Sequence, residues 1–299
     1  MPPILDHLMT APTEVAPIPS LDVWWSRHRD LARCFARPIE QALAAGFAAD
    51  RLGYAFASGY QTALAQLLGE RLALPTAFCV TEERDIATRL VEAEGSYHLS
   101  GAKSFVTLGG FAERLLVVAS SGHDDRGRNR LRVVALDHPE GLTLEPVADL
   151  PFVPEIGHAT VRFDALPVAP SQLLPGDGYA DYVKPFRTIE DLHIHAAILG
   201  WLLRLSRKAW PEPITERLLA AALSIDALAT HDPTSPAAHV ALAGALQHSA
   251  HLIDELDPLW ASLDDETQSR WRRDRDLLRV ASGARAKRRD SAWRALSDT

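Results

Sequence analysis

"CVTEERDIATRLVEAEGSYHLSGAKSFVTLGG", residues 79–110, alternates like paired strands inside a chain otherwise rich in Ala, Leu and Arg. Within it, "ATRLVEAEGSYHLSGAKSFVTL" reads as two short strands around "SG", with Gly101 free to take the positive φ of a tight turn. "RLLVVAS" and "RLRVVALD" follow, joined by the polar loop "SGHDDRGRN". "GLTLEPV" and "HATVRFDALPV" bring the count to at least six strands. Short strands at this regular spacing predict a sandwich or barrel over about 76–172.

On both sides the period changes to that of helices. After a proline-rich lead, residues 21–73 place Leu31, Phe35, Ile39 and Leu43 at helical spacing, with Pro38 interrupting the run. Leu64, Leu67 and Leu68 give a second stripe, and Pro75 ends the zone. Beyond the strands, "IEDLHIHAAILGWLLRLSRKAW" predicts a helix over 189–210 stopped by Pro211. Further helices are expected over about 214–229, 237–261 and 265–296, and helices of this length on short loops predict an antiparallel bundle.

Composition narrows the class. The 299 residues are 47% hydrophobic and 23% charged, enough for a sizeable core and unlike a disordered chain. No apolar run approaches the roughly 20 residues of a membrane span, so no membrane partner is expected. The first twenty residues lack the basic and apolar regions of a secretory signal, and Cys34 and Cys79 are too few for a disulfide framework, so a cytoplasmic protein is expected. No His or Cys lies at metal-finger spacing. His193 and His195, two apart on a predicted helix, face different directions, so no metal is expected. The net charge is −8, yet residues 268–296 hold ten Lys or Arg against three Asp, with Trp271 and Trp293 among them. Acids just upstream, in "IDELD" and "LDDE", favour a solvated helix face over a nucleic-acid site.

Helical, then β, then helical is an uncommon order, and with it the residues resemble the acyl-CoA dehydrogenase family of flavoproteins. "FCVTE" at 78–82 looks like the strand opening that family's middle domain. "YHLSGAKSFVTLGGFAERLLVVA" looks like its Gly-x-Lys-x-aromatic-x-Thr segment, and "VRFDALPVAPSQLLPGDGY" like its exit from the domain. The resemblance is best over about 78–205. It implies an α+β fold with an N-terminal helical domain (1–75), a middle antiparallel β-barrel or sandwich (76–172) and a C-terminal four-helix bundle (173–299). It also implies FAD as cofactor, an acyl thioester (acyl-CoA) as substrate, an electron-transfer acceptor, and a homo-oligomer or a hetero-oligomer with a related subunit.

By the same resemblance Thr81 and Thr107 offer hydroxyls and backbone groups to the flavin ring and Phe105 packs on it, with Phe78 and Val80 beside the first threonine. Fixed, water-excluded hydrogen bonds of this kind tune where electron density collects on the ring. Read as residues alone, Thr and Phe are also simply good strand formers.

Several family motifs are missing. "TEERDIATRL" is about six residues shorter than the family's segment and has no Gly-Ser-Asp loop. The Arg-x-x-Phe-Gly that reaches the FAD pyrophosphate is replaced by "KAWPEPITERLL", with Glu216 near the arginine's place, and no Gly-Gly-x-Gly-Tyr follows. The family's late catalytic Glu-Gly-Thr is absent too. One branch instead carries its glutamate ten residues before a glycine at the start of the first bundle helix, and "IEDLHIHAAILG" sets Glu190 ten residues before Gly200. The resemblance therefore implies Glu190 as catalytic base, although that branch has Arg where this chain has Asp191. A helix start enriched in acids gives the same pattern without any catalysis. Two readings stand: a flavin-dependent dehydrogenase forming an α,β double bond in an acyl thioester, and a non-catalytic subunit or scaffold of the same fold that has lost FAD and CoA contacts.

Overall fold

In the computed structural model, which describes residues 3–82, 87–93, 95–147 and 150–298, contacts divide the chain into two units. One gathers Met1–Gly69, Pro151–Glu155 and Arg187–Thr299, and the other Glu70–Leu150 and Ile156–Phe186.

The first unit is helical. It begins with α1 (Ile4–Thr10), α2 (Leu21–Ala32), α3 (Pro38–Ala48) and α4 (Leu52–Leu68). Ser20 caps α2 by accepting the Val23 amide at 3.3 Å. Pro38 starts α3, because its missing N–H is no loss in a first turn. The later helices are α5 (Lys184–Ala209), α6 (Glu212–Leu228), α7 (Pro236–Glu255), α8 (Asp265–Asp274) and α9 (Ser282–Ser297), of which α5 enters this unit from Arg187 onward. Gly200 of α5 lies against the Leu43 backbone of α3, and Gly46 of α3 against that of Ala197, so a side chain at either would collide with main chain. Small residues thus bring α5 close onto α3. Trp201, Trp260 and Trp271 are buried against one another in this unit, the last two stacked at 4.2 Å.

Two helices end earlier than the sequence predicts. The one expected over 237–261 stops at Glu255 and continues as a 3-10 turn, Asp257–Ser262, because Pro258 has no amide to continue the α-helical ladder. The one expected over 265–296 is two helices separated by the 3-10 turn Arg275–Arg279. The fully buried Asp274 carboxylate accepts the Val153 amide at 2.8 Å and binds Arg273 at 2.7 Å, which anchors the chain at the end of α8.

The second unit is a seven-stranded sheet: β1 (Thr76–Cys79), β2 (Arg89–Ala93), β3 (Ser96–Thr107), β4 (Arg114–His123), β5 (Asn129–Asp137), β6 (Thr143–Pro146) and β7 (His158–Val168). The strand order is β1-β4-β2-β3-β7-β6, with β5 paired on β4. Pairing is antiparallel except that β1 and β2 run parallel to β4. Leu99, Val106, Val117, Val161 and Phe163 pack in its core. The turn expected at Gly101 is elsewhere. β2 and β3 connect at Gly95 (φ 80°), while Gly101 (φ 135°) lies inside β3 at a register shift. A Cβ at Gly101 would meet the Thr88 Cα at 2.6 Å, so glycine is required there by close approach. The shortened loop after Glu82 falls at 83–86, outside the described residues.

Candidate functional site

The residues singled out in the β unit lie on two adjoining segments. The Thr81 carbonyl accepts the Ser104 amide at 2.9 Å, and the Val80 carbonyl accepts the Lys103 ammonium at 3.4 Å. Residues 80–82 are therefore bonded alongside β3. Between Lys103, paired with Val161, and Val106, paired with Ala159, two residues of β3 oppose one of β7. Such a bulge re-aims side chains. Phe105 sits in it with φ 52° and 56% of its surface exposed, an uncommon backbone for a bulky residue. Thr81 is exposed and Thr107 partly so, the Thr107 Oγ1 lying 3.3 Å from Nε2 of His158. Burial lowers the His158 pKa and keeps that imidazole neutral. Phe78 is buried instead, its ring edge against Phe186 at 4.9 Å. Of the aromatics expected at a flavin, Phe105 alone is presented to solvent.

The same segments carry a pair that sequence reasoning missed. Lys103 is fully buried and donates to the Glu82 carboxylate, which also accepts the amides of Ala87 and, at 3.3 Å, of Thr88. A lysine inside a strand and a glutamate before a loop look like surface residues in sequence. No signal in either predicted this pair.

Glu190 belongs to the helical unit. Because α5 begins at Lys184, Glu190 sits in its second turn, where the helix-end field has weakened. Burial pushes its carboxyl up to about 8, Asp191 adds to the rise, and Arg285 and Arg288 oppose it. Among the described residues no cation pairs with Glu190. The neighbouring Asp191 takes them: Arg285 donates to it at 2.9 Å, and Arg288 binds its other oxygen. The charge reversal at 191 is thus matched by two arginines on α9. His193 and His195 are buried one turn further on, and burial pulls both imidazoles down to about 4. His193 Nδ1 bonds the Ile189 carbonyl at 2.7 Å.

Solved structures share this architecture. FMN-bound TdsC from Paenibacillus sp. A11-2 is 15% identical, with a TM-score of 0.68 over 86% of this chain and 82% of its own. Butyryl-CoA dehydrogenase from Megasphaera elsdenii is 13% identical, with a TM-score of 0.66 over 85% and 81%. Apo-form PigA is 16% identical, with a TM-score of 0.70 over 94% and 90%. The chain has the acyl-CoA dehydrogenase fold. No protein-family model and no curated protein matches it by sequence, so the likeness is one of structure.

Glu216 is an exposed carboxylate on α6, and the next residue, Arg217, pairs with Glu255 at 2.7 Å. The basic run at 268–296 is largely consumed within the helical unit. Trp271 is buried, Arg270 pairs with Glu266, Arg273 binds Asp274 and Glu155, and Arg285 and Arg288 bind Asp191. Trp293 remains exposed. Among the described residues no helix is long and apolar enough to cross a membrane, and no cluster of His, Cys, Asp or Glu is arranged to hold a metal.

Proposed function

We propose that the protein is a flavin-dependent oxidoreductase that forms an α,β double bond in an acyl thioester, with Glu190 as the base. The observation that carries this reading is the Glu190 carboxyl, pushed up to about 8 and left unpaired while its neighbour Asp191 absorbs both nearby arginines. A carboxylate of that basicity is matched to removing the weakly acidic proton beside a thioester carbonyl. In the step, the α-carbon loses its proton to a Glu190 oxygen, the β-carbon loses a hydride, and the bond between them becomes double.

The β unit fits the ring end of a flavin. Phe105 offers an exposed flat face, and Thr81 and Thr107 offer polar groups on neighbouring segments. A bound flavin would supply the two-electron acceptor for the hydride. The resemblance sets Glu216 near the place of the family's pyrophosphate arginine, which argues for a poor fit to that end of FAD. We therefore favour FAD held mainly by its isoalloxazine and bound weakly. Losing a charge-assisted phosphate contact commonly costs about 1.5–3 kcal/mol, roughly tenfold to a hundredfold in affinity.

A second reading, a non-catalytic scaffold, is favoured by the same missing phosphate contacts. Colour separates the two. The purified protein titrated with FAD, and in parallel with FMN, is expected to change the flavin spectrum saturably and to keep yellow colour through rapid removal of free flavin. A protein that takes up neither flavin at high micromolar concentration is a scaffold.

A further inference from the structure

A cavity of about 420 Å³ opens in the helical unit, among residues of α2, α3 and α4, and is lined almost wholly by apolar atoms. That size lies within the roughly 300–1,000 Å³ typical of small-molecule sites. It exists because α3 presents Ala45 and Ala48 where bulkier residues would fill the space. Trp24 forms part of its wall, and its indole N–H is already satisfied by Ser58 Oγ at 2.9 Å, so the wall asks for no water there.

His28 is the exception. It lines the cavity, is only 7% exposed, and stacks on Trp25 with ring centroids 5.5 Å apart. Its Nδ1 is sealed from solvent and has no hydrogen-bond partner among the described residues. Burial pulls the imidazole down to about 4, so the ring is neutral and carries one proton. A buried lone pair left unmatched is tolerated more readily than a buried N–H left unmatched. The proton therefore belongs on Nε2, which becomes the ring's donor. Arg27 and Asp30, also lining it, carry opposite charges, so the rim selects for neither sign.

We propose that this cavity is a second binding site, for a small neutral molecule with an apolar body and one acceptor oxygen that takes the His28 Nε2–H. The site lies within α2–α4 and their flanks, its lining includes neither Glu190 nor any residue of the β unit, and it does not depend on flavin chemistry.

Cys34 reports on occupancy, because it lines the cavity and is exposed, whereas Cys79 is buried with its thiol pushed up to about 12. The test uses the 299-residue chain and a pair of probes that share one carbon skeleton, 4-phenyl-2-butanone and n-butylbenzene. Calorimetry gives their affinities, and intact mass gives the rate of N-ethylmaleimide addition at Cys34. The ketone is expected to bind one to one and slow Cys34 modification severalfold, and its affinity relative to the hydrocarbon to fall about tenfold in His28→Phe, the worth of one hydrogen bond. His28→Phe keeps an aromatic ring against Trp25, so a change in that ratio reports the lost donor and not lost stacking. Ala48→Trp should fill the cavity and abolish binding of both probes, with Ala48→Leu as the milder variant if circular dichroism shows the first is misfolded. An affinity ratio that is the same in the wild type and in His28→Phe removes the role of His28. Ketone binding that survives in the filled variant, or no binding up to the ketone's solubility, overturns the site.

Discussion

The Lys103 ammonium and the Glu82 carboxylate meet inside the β unit, tying the segment that carries Val80 and Thr81 to the strand that carries Phe105 and Thr107. Burial lowers the Lys103 pKa, and the Glu82 carboxylate works against that fall. Glu82 also gathers the amides of Ala87 and Thr88, so one carboxylate joins three stretches of chain. An ion pair so placed contributes less as net stability than as registration of the two segments.

Removing one partner should therefore be worse than removing both. Lys103→Met leaves Glu82 uncompensated and is expected to cost about 3–5 kcal/mol, read from urea midpoints. In the double variant Glu82→Gln/Lys103→Met, an amide oxygen still accepts the Ala87 and Thr88 N–H groups while the buried charge is gone. It should recover most of the loss. A double variant as unstable as the sum of the singles would mean that the two residues do not act as a pair.

Phe105 gives a test in which stability and flavin binding separate. The side chain is largely exposed and its φ of 52° is strained for phenylalanine, so Phe105→Asn, which tolerates that backbone, should change stability by less than about 1 kcal/mol. If the ring serves as a flavin platform, FAD affinity in the same variant should fall about twofold to tenfold, since aromatic contacts of this kind are commonly worth about 0.5–1.5 kcal/mol beyond the area they bury. Unchanged flavin affinity would take Phe105 out of the site.

Much of this arrangement was legible in the sequence, for reasons that differ by element. The change from helical to alternating period marks the β segment, because side-chain periodicity follows directly from backbone geometry. The first bundle helix and its glycine were readable for the same reason. Local chemistry misled at Gly101, since a glycine needed against Thr88 looks in sequence like one needed for a turn. Long-range charge pairing was not readable. Nothing near Asp191 announces that its partners, Arg285 and Arg288, lie on α9, or that Asp274 holds the Val153 amide and so divides the last predicted helix.

Three buried neutral histidines set an acid limit on stability. His28, His193 and His195 are each pulled to about 4 by burial, against an ordinary value of 6.5. Between those values the unfolded chain binds protons that the folded chain refuses. The stability present above pH 6.5 is therefore lost as pH falls toward 4, by up to about 1.4 kcal/mol per pH unit for each histidine. Glu190 acts in the opposite sense. Its folded value of about 8 lies above the ordinary 4.5, so its contribution is full below pH 4.5 and lost as pH rises through 8. At about pH 5–6 the histidines outnumber it, and urea midpoints should fall on acidification. His193→Phe should lower that slope by one proton, and a slope left unchanged would show that His193 is not held neutral.

The last prediction concerns how Asp191 sets the basicity of Glu190. The reaction needs the Glu190 carboxylate, so the rate of α-proton exchange from an acyl thioester into D2O should rise with pH and level off above about 8. Asp191 helps hold that value up by its own charge and by occupying Arg285 and Arg288. Asp191→Asn removes the charge and frees both arginines to act on Glu190. The inflection should then move to lower pH, and the plateau rate should fall because a weaker base abstracts the proton less readily. Glu190→Gln should abolish exchange in both backgrounds while leaving flavin binding intact. An inflection that stays near 8 in Asp191→Asn would show that burial alone sets it, and exchange persisting in Glu190→Gln would assign the base to another group.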